Sequence, residues 1–379
     1  MNSAREMEFG VYIHWPFCAR ICPYCDFNVY RDRGADTERF ARAILTDLQY
    51  WAAQTGGRRL SSLYFGGGTP SLAPISVIAS AIEACETFWG FAPRAEITLE
   101  ANPTDAEIDR FRAFAAAGVN RISLGVQSFD DEALGFLGRD HDAATAMRAI
   151  ETAQSVFARV NADFIYARPG QTLAAWEREL NRAIATGLNH LSLYQLTIEP
   201  GTAFDRAVSK NRWAPADEDT AADLFDATQE LTNAAGLPAY EISNHAAPGE
   251  ASRHNFLYWR QCDYVGVGPG AHGRVTIGNV RHASETALRP NDYMELVENS
   301  GCGAALFDPL SDDEALTERL AMGLRTIEGI RLSQTQLRQL QGRIETLAQR
   351  GLISQDGERV FSTTHGRRIL NAVLLELAP

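Results

Sequence analysis

A chain of 379 residues is long enough for one large domain and a smaller one, and its 45% hydrophobic content is ordinary for a soluble globular protein. Its 48 acidic side chains outnumber the 35 basic ones, and the net charge of −13 excludes a basic surface that would favour nucleic acid or an anionic membrane. The opening MNSAREMEFG lacks the apolar stretch of a signal peptide, and no run approaches the ~18 apolar residues of a membrane span. We therefore expect a cytoplasmic protein that does not span a membrane.

A loop with three cysteines follows the first predicted strand, GVYIHW (10–15), which ends at Pro16. Cys18, Cys22 and Cys25 have the spacing Cys-x3-Cys-x2-Cys, and three thiolates leave one position of a tetrahedral ion or a four-iron cluster open. Soft thiolates suit iron–sulfur or zinc, but zinc sites usually combine two closely spaced cysteine pairs. The loop therefore favours an iron–sulfur cluster, with zinc as the alternative. The remaining cysteines are isolated in the sequence: Cys85, Cys262 and Cys302.

Strand-like and helical segments alternate through the first 200 residues. The predicted strands are GVYIHW, RLSSLYF, AEITLEANP (95–103), RISLGVQSF (121–129), ARVNADFIY (158–166) and HLSLYQLTI (190–198). The predicted helices between them are 36–54, 72–88, 104–117, 141–157 and 173–187. Such alternation is typical of an α/β fold with a parallel sheet and right-handed crossovers. Six units are fewer than the eight of a closed barrel, so we expect an open partial barrel.

Residues able to bind a ligand lie at or near the carboxyl ends of these strands, where such folds place their chemistry. The glycines of GGGTP (66–70) allow a close approach to the backbone, and Glu100 can balance a cationic ligand. Gln127 offers both a donor and an acceptor, and Arg139 suits a carboxylate. Asp163 lies among apolar neighbours, where an acid is expected to be paired or to serve a ligand. Each could alone be a turn or a structural ion pair, but their common placement predicts one site.

The character of the chain changes after the sixth strand. A helix over 217–236 precedes AYEISNHA and HNFLYW (254–259), and the glycines of CDYVGVGPGAHG (262–273) indicate closely packed backbone. From residue 310, two amphipathic helices, a hairpin at Asp356-Gly357 and a last helix resemble a winged-helix module. Residues 310–379 hold nine acidic residues and nine arginines. Without a basic face, we favour a packing or interaction lid over a nucleic-acid binder.

Taken together, these motifs resemble the radical S-adenosylmethionine (SAM) superfamily, and within it the branch that contains oxygen-independent coproporphyrinogen III oxidase and the heme chaperone HemW. The matching segments are YIHWPFC, GGGTPS, LEANP, SLGVQSFD, DFIYARPGQT, YEISNHA, HNFLYW and GPGAHG. The resemblance implies a radical SAM partial (β/α)6 barrel with a small C-terminal winged-helix-like α+β domain. It also implies a [4Fe-4S] cluster on Cys18, Cys22 and Cys25, whose open iron chelates the amino and carboxylate groups of SAM. Tyr24 would shield the cluster. The SAM site would be lined by Tyr12, Gly67, Gly68, Thr69, Glu100, Gln127, Arg139 and Asp163.

Within that branch, the chain is most similar to the HemW group. Decarboxylase members have a longer N-terminal segment and a fourth cysteine, whereas here Asp26-Phe27 follows Cys25 and seventeen residues precede Cys18. His254-Asn255-x-x-Tyr258-Trp259 resembles the HNxxYW heme motif of that group, so His254 is the implied axial ligand and the two aromatic rings the implied porphyrin contacts. One departure is ARPGQT, in which Arg168 stands where the family usually has a small apolar residue.

These observations leave three functions open. The first is a chaperone that binds heme and passes it to soluble or membrane-bound apo-hemoproteins, with an electron donor serving the cluster. The second is an enzyme that uses the SAM radical to decarboxylate porphyrinogen propionates, and the third is a zinc or structural thiol protein. In domain terms, we expect a radical SAM core over 1–235, an extension with the HNxxYW motif over 236–309 and the winged-helix-like domain over 310–379.

Overall fold

The computed structural model of the chain describes residues 8–378, so residues 1–7 of the predicted first domain and residue 379 of the last lie outside the described part. Its strands are β1 (Phe9–Trp15), β2 (Phe17–Cys18), β3 (Tyr30–Arg31), β4 (Leu60–Gly67), β5 (Phe91–Ala101), β6 (Arg121–Gln127), β7 (Arg159–Tyr166), β8 (His190–Gln195), β9 (Asn244–Ala246), β10 (Asp263–Val267), β11 (His272–Ile277), β12 (Val280–Thr286), β13 (Ala304–Pro309), β14 (Ile330–Arg331), β15 (Ile353–Asp356) and β16 (Arg359–Ser362). Its α-helices are α1 (Thr37–Thr55), α2 (Ile75–Phe88), α3 (Ile108–Ala116), α4 (Asp131–Phe136), α5 (Ala143–Val156), α6 (Leu173–Ile184), α7 (Ala203–Val208), α8 (Glu218–Ala234), α9 (Arg253–Trp259), α10 (Pro290–Ser300), α11 (Asp312–Gly323), α12 (Gln334–Gln349), α13 (Thr364–Arg368) and α14 (Leu370–Leu377).

One large sheet organises the molecule, with the strand order β13-β12-β11-β10-β1-β4-β5-β6-β7-β8-β9. The strands from β10 through β8 in this order are parallel, and those beyond each end pair in the antiparallel sense. Helices connect the parallel strands, as right-handed crossovers require. All these strands therefore point their carboxyl ends to one edge of the sheet, where the candidate site lies.

Most of the parallel strands are buried along much of their length, because helices cover the sheet; β5 is buried mainly in its second half. In β1, six of the seven residues are buried, and β4 has a similar pattern. Such near-continuous burial is typical of parallel sheets and explains the long apolar runs in the sequence. On the helix side, Trp51 and Phe40 of α1 and Trp176 of α6 are fully buried in the main core. Asp36 caps α1 by accepting a hydrogen bond from the backbone of Arg39, which fixes where that helix begins.

The C-terminal region has its own apolar core. Leucine, isoleucine and valine side chains of α11, α12, β14 to β16 and α14 form a separate buried cluster. The three short strands form a sheet of order β14-β16-β15. Ion pairs link this region to β11 and to the end of α9, with Arg274 to Glu318 at 2.6 Å and Arg260 to Glu328 at 2.6 Å. The C-terminal region is therefore a small α+β unit that packs on the edge of the cavity described below.

The predicted fold class is confirmed at the level of an α/β core with a C-terminal α+β unit. The six predicted strands correspond to β1, β4, β5, β6, β7 and β8. The sequence did not reveal that the extension over 236–309 continues the same sheet, with β10 parallel to β1 and β11 to β13 beyond it. None of the helices among residues 8–378 is long and apolar enough to cross a membrane.

Candidate functional site

The cysteine loop follows β1 and lies beside the glycine-rich end of β4. Cys18 is buried at the end of β2, and Cys22 and Cys25 are half-buried in the loop. The backbone N–H groups of Gly68 and Thr69 donate to the carbonyls of Trp15 and Phe17, at 2.7 and 2.9 Å, which joins the two segments. Within the described residues, all six cysteines are free and no group of three or more His, Cys, Asp or Glu side chains is arranged to hold a single metal ion.

Glycine is required where the two segments touch. A Cβ atom on Gly68 would lie 2.6 Å from the carbonyl oxygen of Phe17 and 3.0 Å from the sulfur of Cys18. Gly67 has φ +108°, and a Cβ there would lie 2.5 Å from the ring of His14. Any larger residue at position 68 would therefore push Phe17 and the thiol of Cys18 away from the end of β4.

Arg139 lies against the cysteine loop. Its Nη1 donates to the sulfur of Cys22 at 3.1 Å, and its Nη2 donates to Asn102 and, at 3.0 Å, to the carbonyl of Gly125. Its Nε is buried with no partner among the described residues. Burial raises the pKa of the Cys25 thiol to about 12, and the neighbouring sulfurs of Cys22 and Cys18 add to the rise. The positive charge of Arg139 beside the cysteine loop stabilises negative charge on the sulfur atoms. Three thiols next to a guanidinium are therefore a set of donors that fits the predicted cluster.

The predicted fork of Arg139 onto a SAM carboxylate is only partly available. Two of its nitrogens are engaged with the chain, and the free Nε is the one left to meet a ligand. Tyr24, the predicted cluster shield, lies on the same loop and packs on Phe204 with ring centroids 6.3 Å apart. Burial raises its pKa, so the phenol stays neutral.

Two buried carboxylates form the negative part of the site. Tyr64 Oη donates to Glu100 Oε1 at 2.8 Å, and the N–H of Gly67 donates to Glu100 Oε2 at 3.1 Å. Asn161 donates to Asp163 Oδ1 at 2.7 Å. Burial raises the pKa of Glu100 to about 7, with a further rise from the charge of Asp163, and burial raises the pKa of Asp163 as well. Because burial disfavours the ionised form of both carboxyl groups, a cationic ligand beside them would stabilise their negative charges. SAM carries two cationic groups, a sulfonium and an ammonium.

The remaining predicted SAM residues lie at the same strand ends. Tyr12 on β1 is next to the glycines, with its Oη 2.9 Å from Nδ1 of His14. Thr69 begins the turn after β4. Gln127 ends β6 with φ +69°, a left-handed conformation that is costly for a residue with a side chain and that clusters at functional sites. The structure thus brings Tyr12, Gly67, Glu100 and the cysteine loop together.

Arg168, the departure from the family pattern, has a clear structural role. It follows Ala167, a residue with φ +57° at the end of β7, and its Nη2 lies 2.6 Å from Oε2 of Glu179. Both side chains are buried, and Glu179 also accepts from the backbone N–H of Phe129 at 2.8 Å and from Ser128. This ion pair ties the end of β7 to the residues that follow Gln127. It therefore supports the strained end of β6.

A cavity of 580 Å³ opens beside the strand ends. It extends from Glu100 and the segment after the cysteines to α9, β11 and the C-terminal unit. The lining residues are Tyr12, His14, Asp26, Phe27, Asn28, Gly67, Glu100, Tyr258, Trp259, Gln261, Tyr264, Gly270, His272, Arg274, Arg281, Leu288, Glu318 and Met322. Its volume is within the range of small-molecule and cofactor sites, and its walls combine aromatic rings with a few charged groups.

The structure places the HNxxYW residues on α9 and divides them into two sets. Tyr258 and Trp259 line the cavity, and their role as porphyrin contacts stays a prediction. His254 is buried beneath them, with Nδ1 2.8 Å from Ser62 Oγ and Nε2 2.6 Å from Tyr258 Oη. Asn255 donates to Tyr240 Oη at 2.9 Å, away from the cavity.

The role of His254 as an axial ligand stays a prediction. Both of its ring nitrogens lie in hydrogen bonds to hydroxyl groups, so Ser62 or Tyr258 would have to release one of them to an iron. Burial lowers the pKa of His254 to about 3, so the ring is neutral, and it stacks on Tyr64 with centroids 4.7 Å apart. In the structure, the ring of His254 holds the hydroxyl of Tyr258 at the cavity wall.

Sequence reasoning missed the far wall of the cavity. Tyr264, His272 and Arg274 come from β10 and β11, and Met322 comes from α11. The glycines of CDYVGVGPGAHG (262–273) were the available signal. A Cβ on Gly266 would lie 2.0 Å from the carbonyl oxygen of His272, so these glycines hold that wall against the sheet, and the prediction of closely packed backbone is confirmed.

Comparison with known proteins identifies the family. Residues 12–183 match the model of the radical SAM superfamily, and residues 310–369 match that of the HemN C-terminal domain. The heme chaperone HemW of Mycobacterium tuberculosis is 34% identical to this chain, over 97% of this chain and 94% of that protein. The chain belongs to the HemW family of radical SAM proteins. The HemW protein of Escherichia coli is 41% identical over 76% of this chain and 75% of its own length.

Other relatives extend this result. The mitochondrial radical S-adenosyl methionine domain-containing protein 1 of Bos taurus is 38% identical over 97% of this chain and 87% of that protein. Among solved structures, coproporphyrinogen III oxidase (HemN) of Escherichia coli superposes with a TM-score of 0.82, covering 98% of this chain and 90% of that one at 22% identity. That similarity confirms the fold class. Membership in the HemW family supports a [4Fe-4S] cluster and SAM as cofactors, while the residues assigned to them stay predictions.

The pKa of Glu100 predicts how SAM binding depends on pH. A carboxyl with a pKa of about 7 is ionised above pH 8 and protonated below pH 6, and only the ionised form attracts a cation. We therefore expect the Kd for SAM to rise about tenfold as the pH falls from 8 to 6, the effect of one linked proton. Equilibrium titration of the cluster-loaded protein at several pH values measures this.

Glu100→Gln is the matched control for that titration. It should weaken SAM binding at pH 8 by about 1.5–3 kcal/mol, the range for hydrogen bonds to charged groups, and remove most of the pH dependence. A variant with the same pH profile as the unmodified protein would exclude Glu100 as the group that titrates.

Proposed function

We propose that this protein is a heme chaperone that binds heme in the cavity and passes it to apo-hemoproteins. The observation that supports this most directly is the continuity of the cavity, whose lining runs from the segment after the cysteines to Tyr258 and Trp259. The HemW relatives are named heme chaperones, and they resemble this chain over most of its length.

The composition of the cavity suits a flat apolar ligand with acidic substituents. Tyr258, Trp259 and Tyr264 offer aromatic faces, and Phe27 and Leu288 at the rim are 60% and 63% exposed. Both line the same cavity as the aromatic rings, so their exposed apolar area is part of its wall. A porphyrin face would cover them.

Charges in the cavity fit the propionate groups of heme. Arg274 and Arg281 line it, although the chain as a whole carries a net charge of −13. In the structure these arginines pair with Glu318 at 2.6 Å and with Asp263 at 3.0 Å. Arg281 also has a buried Nε with no partner among the described residues, so a propionate could accept from it while Asp263 keeps its ion pair.

The cluster and SAM would occupy the end of the site formed by the strand ends. Cys18, Cys22 and Cys25 would hold the cluster, and Glu100 would face the cationic part of SAM. The cluster would supply electron-transfer chemistry when bound. The chain itself would orient SAM through the glycines after β4 and exclude water through burial of Glu100. An electron donor and recipient hemoproteins are the partners that this proposal requires.

A direct assay separates this proposal from decarboxylase activity. The anaerobically reconstituted protein should bind about one heme and pass it to an added apo-hemoprotein, followed by the recipient's absorption spectrum. The same protein should not turn over coproporphyrinogen III when supplied with SAM and a reductant. Repeated formation of protoporphyrinogen would contradict the chaperone proposal and support an oxidase.

A further inference from the structure

We infer that Arg281 and Gln261 form a carboxylate-binding subsite, which binds the propionate groups of the porphyrin and directs them away from the SAM end of the cavity. This inference rests on the proposed function. It names the part of the ligand that the chain recognises and the direction in which the ligand lies. The predicted iron ligand, His254, is unchanged by it.

The charges around Arg281 leave one positive charge without a partner. Asp263, which is 3% exposed, accepts from Arg281 Nη1 at 3.0 Å and from Arg58 Nη1 at 2.6 Å. Among the described residues, neither arginine forms an ion pair with any other carboxylate. One carboxylate therefore neutralises only one of two half-buried guanidinium groups, although the whole chain has a net charge of −13. An unpaired charge in such a position favours an anionic ligand.

Donor groups beside that charge have no acceptor in the described part of the chain. The Nε atom of Arg281 and the Nε2 atom of Gln261 are buried and unpartnered, and so is Nη2 of Arg58. Arg281 Nη1 also donates to the carbonyl of Gln261 at 3.1 Å, so the two residues are in contact, and both line the cavity. A buried N–H without an acceptor costs free energy, whereas one carboxylate can accept several such bonds. A carboxylate in the cavity would meet these donors through small rotations of the two side chains.

The backbone of Gln261 provides an independent observation. Gln261 follows the end of α9 with φ +54°, and the N–H of Cys262 donates to the carbonyl of Leu257 at 2.8 Å. This is the Schellman arrangement, in which glycine or asparagine normally occupies the left-handed position. A residue with a longer side chain is costly there, and such a cost is typical of functional positions. The side chain that carries this cost lines the cavity, as a ligand-binding amide would.

Arg274, the other arginine that donates into the cavity wall, already has its charge neutralised. Its Nε and Nη2 both donate to Glu318 Oε1, at 2.9 and 2.6 Å. A propionate at Arg274 would therefore have to displace Glu318 and leave that carboxylate without its partner, which is costly at a half-buried position. Arg281 needs no such exchange, so it is the better anchor.

The position of the subsite along the sheet gives the ligand a direction. Asp263, which holds Arg281, pairs with Phe9 at the start of β1, whereas Gly67, at the SAM end, pairs with Trp15 at the end of β1. These two levels are six residues apart along the strand, about 20 Å at the usual rise per residue. Propionates bound at Arg281 therefore lie far from the SAM end. An enzyme that decarboxylates propionates needs them close to SAM, so this orientation suits a ligand that is carried and not converted.

The test measures the Kd of the full-length, cluster-loaded protein for two probes, hemin and hemin dimethyl ester, in which both propionates are masked. Arg281→Gln should weaken hemin binding by about tenfold to a hundredfold, the range expected for a hydrogen bond to a charged group. The diester should bind equally weakly to this variant and to the unmodified protein, because it has no carboxylate to recognise. Arg281→Lys, which keeps the charge and loses the Nε donor, should recover part of the affinity. The Soret band of bound hemin should keep its position, since the iron ligand is not altered.

Arg39→Gln is the matched control for the arginine variants. Arg39 also pairs with a glutamate, at 2.7 Å, but it does not line the cavity, so hemin affinity should be unchanged. Arg281→Gln is expected to fold, because Asp263 keeps its bonds from Arg58 and from Thr276. A cooperative denaturant transition checks this.

Gln261→Gly separates ligand binding from stability. Glycine adopts positive φ without a steric cost, so this variant should have a higher denaturant midpoint than the unmodified protein. It should nevertheless bind hemin about tenfold less tightly, because the amide donor is lost. A residue with a purely structural role would not change the two quantities in opposite directions. Arg94→Gly is the control, since Arg94 is exposed, has φ +63° and does not line the cavity, and it should raise the midpoint alone.

The outcomes distinguish this inference from the proposed function. If Arg281→Gln binds hemin as the unmodified protein does, or if the unmodified protein binds hemin and its diester equally, the inference is wrong and the chaperone proposal stands. A loss of hemin affinity confined to Arg274→Gln would place the propionates there and contradict the inference. A loss of SAM affinity in Arg281→Gln, with hemin binding unchanged, would assign the subsite to the carboxylate of SAM instead. A protein that binds no hemin in any form would overturn both the inference and the chaperone proposal.

Discussion

Replacing any one of Cys18, Cys22 and Cys25 with alanine is expected to abolish the cluster. The anaerobically reconstituted protein should contain about four irons and four sulfides, with broad absorption near 400 nm, and each variant should contain almost none. A cluster with two protein thiolates has lost one of its three anchors, and Cys22→Ala also removes the sulfur that Arg139 contacts at 3.1 Å. Iron and sulfide analysis measures the loss.

Cys262→Ala is the matched control, because this thiol is also half-buried and free but lies outside the loop. It should leave the iron content unchanged, as should Cys85→Ala in the core. SAM affinity should fall with the cluster in the loop variants, since the open iron is the expected anchor of SAM. Stoichiometric zinc without sulfide in the unmodified protein would contradict the cluster assignment.

The second large effect is expected from the buried pair of Arg168 and Glu179. Removing one partner of a buried ion pair leaves an uncompensated charge, at a cost of about 3–5 kcal/mol. Glu179→Ala should therefore lower the denaturant midpoint strongly, because Arg168 and the N–H of Phe129 both lose their acceptor. Arg168→Met should have a similar effect through the unpaired carboxylate.

The double variant Arg168→Met with Glu179→Leu separates pairing from packing. If the charges are the main cost, the double variant should be more stable than either single one, because no charge is left buried alone. The exposed pair of Arg112 and Asp109 is the control, and Arg112→Ala should leave the midpoint unchanged. Additive losses in the double variant would show that the two side chains act independently.

This pair also illustrates what the sequence could and could not predict. The strands that precede Gln127 and Asp163 were predictable, because apolar runs and glycine-rich ends recur at regular intervals. Arg168 was visible only as a departure from a motif. Its partner Glu179 lies on the following helix, and the pairing depends on how that helix crosses the sheet.

The candidate site also has parts that were predictable from the sequence and parts that were not. The cysteine loop and Glu100 have local motifs, so their common location followed from the rule that parallel strands end at one edge. The hydrogen bond of His254 to Ser62 was not predictable, because Ser62 lies on β4, almost two hundred residues earlier, and the fold brings the two residues together. His272 was overlooked because β10 was not predicted to pair with β1, and that pairing creates the far wall of the cavity.

The position of β1 also has a consequence for the order in which the protein assembles during synthesis. Residues 9–15 are made long before β10. One edge of this strand pairs with β4, and the other pairs with β10, with Val11 opposite Val265. Until β10 has left the ribosome, that edge presents unpaired backbone groups, which promote misassociation between chains. Between the synthesis of β1 and that of β10, the edge of β1 that will pair with β10 therefore stays unpaired in the nascent chain. The wall of the cavity formed by β10 and β11 can close only after residues 263–277 have been made, so a ligand can be enclosed there only late in synthesis.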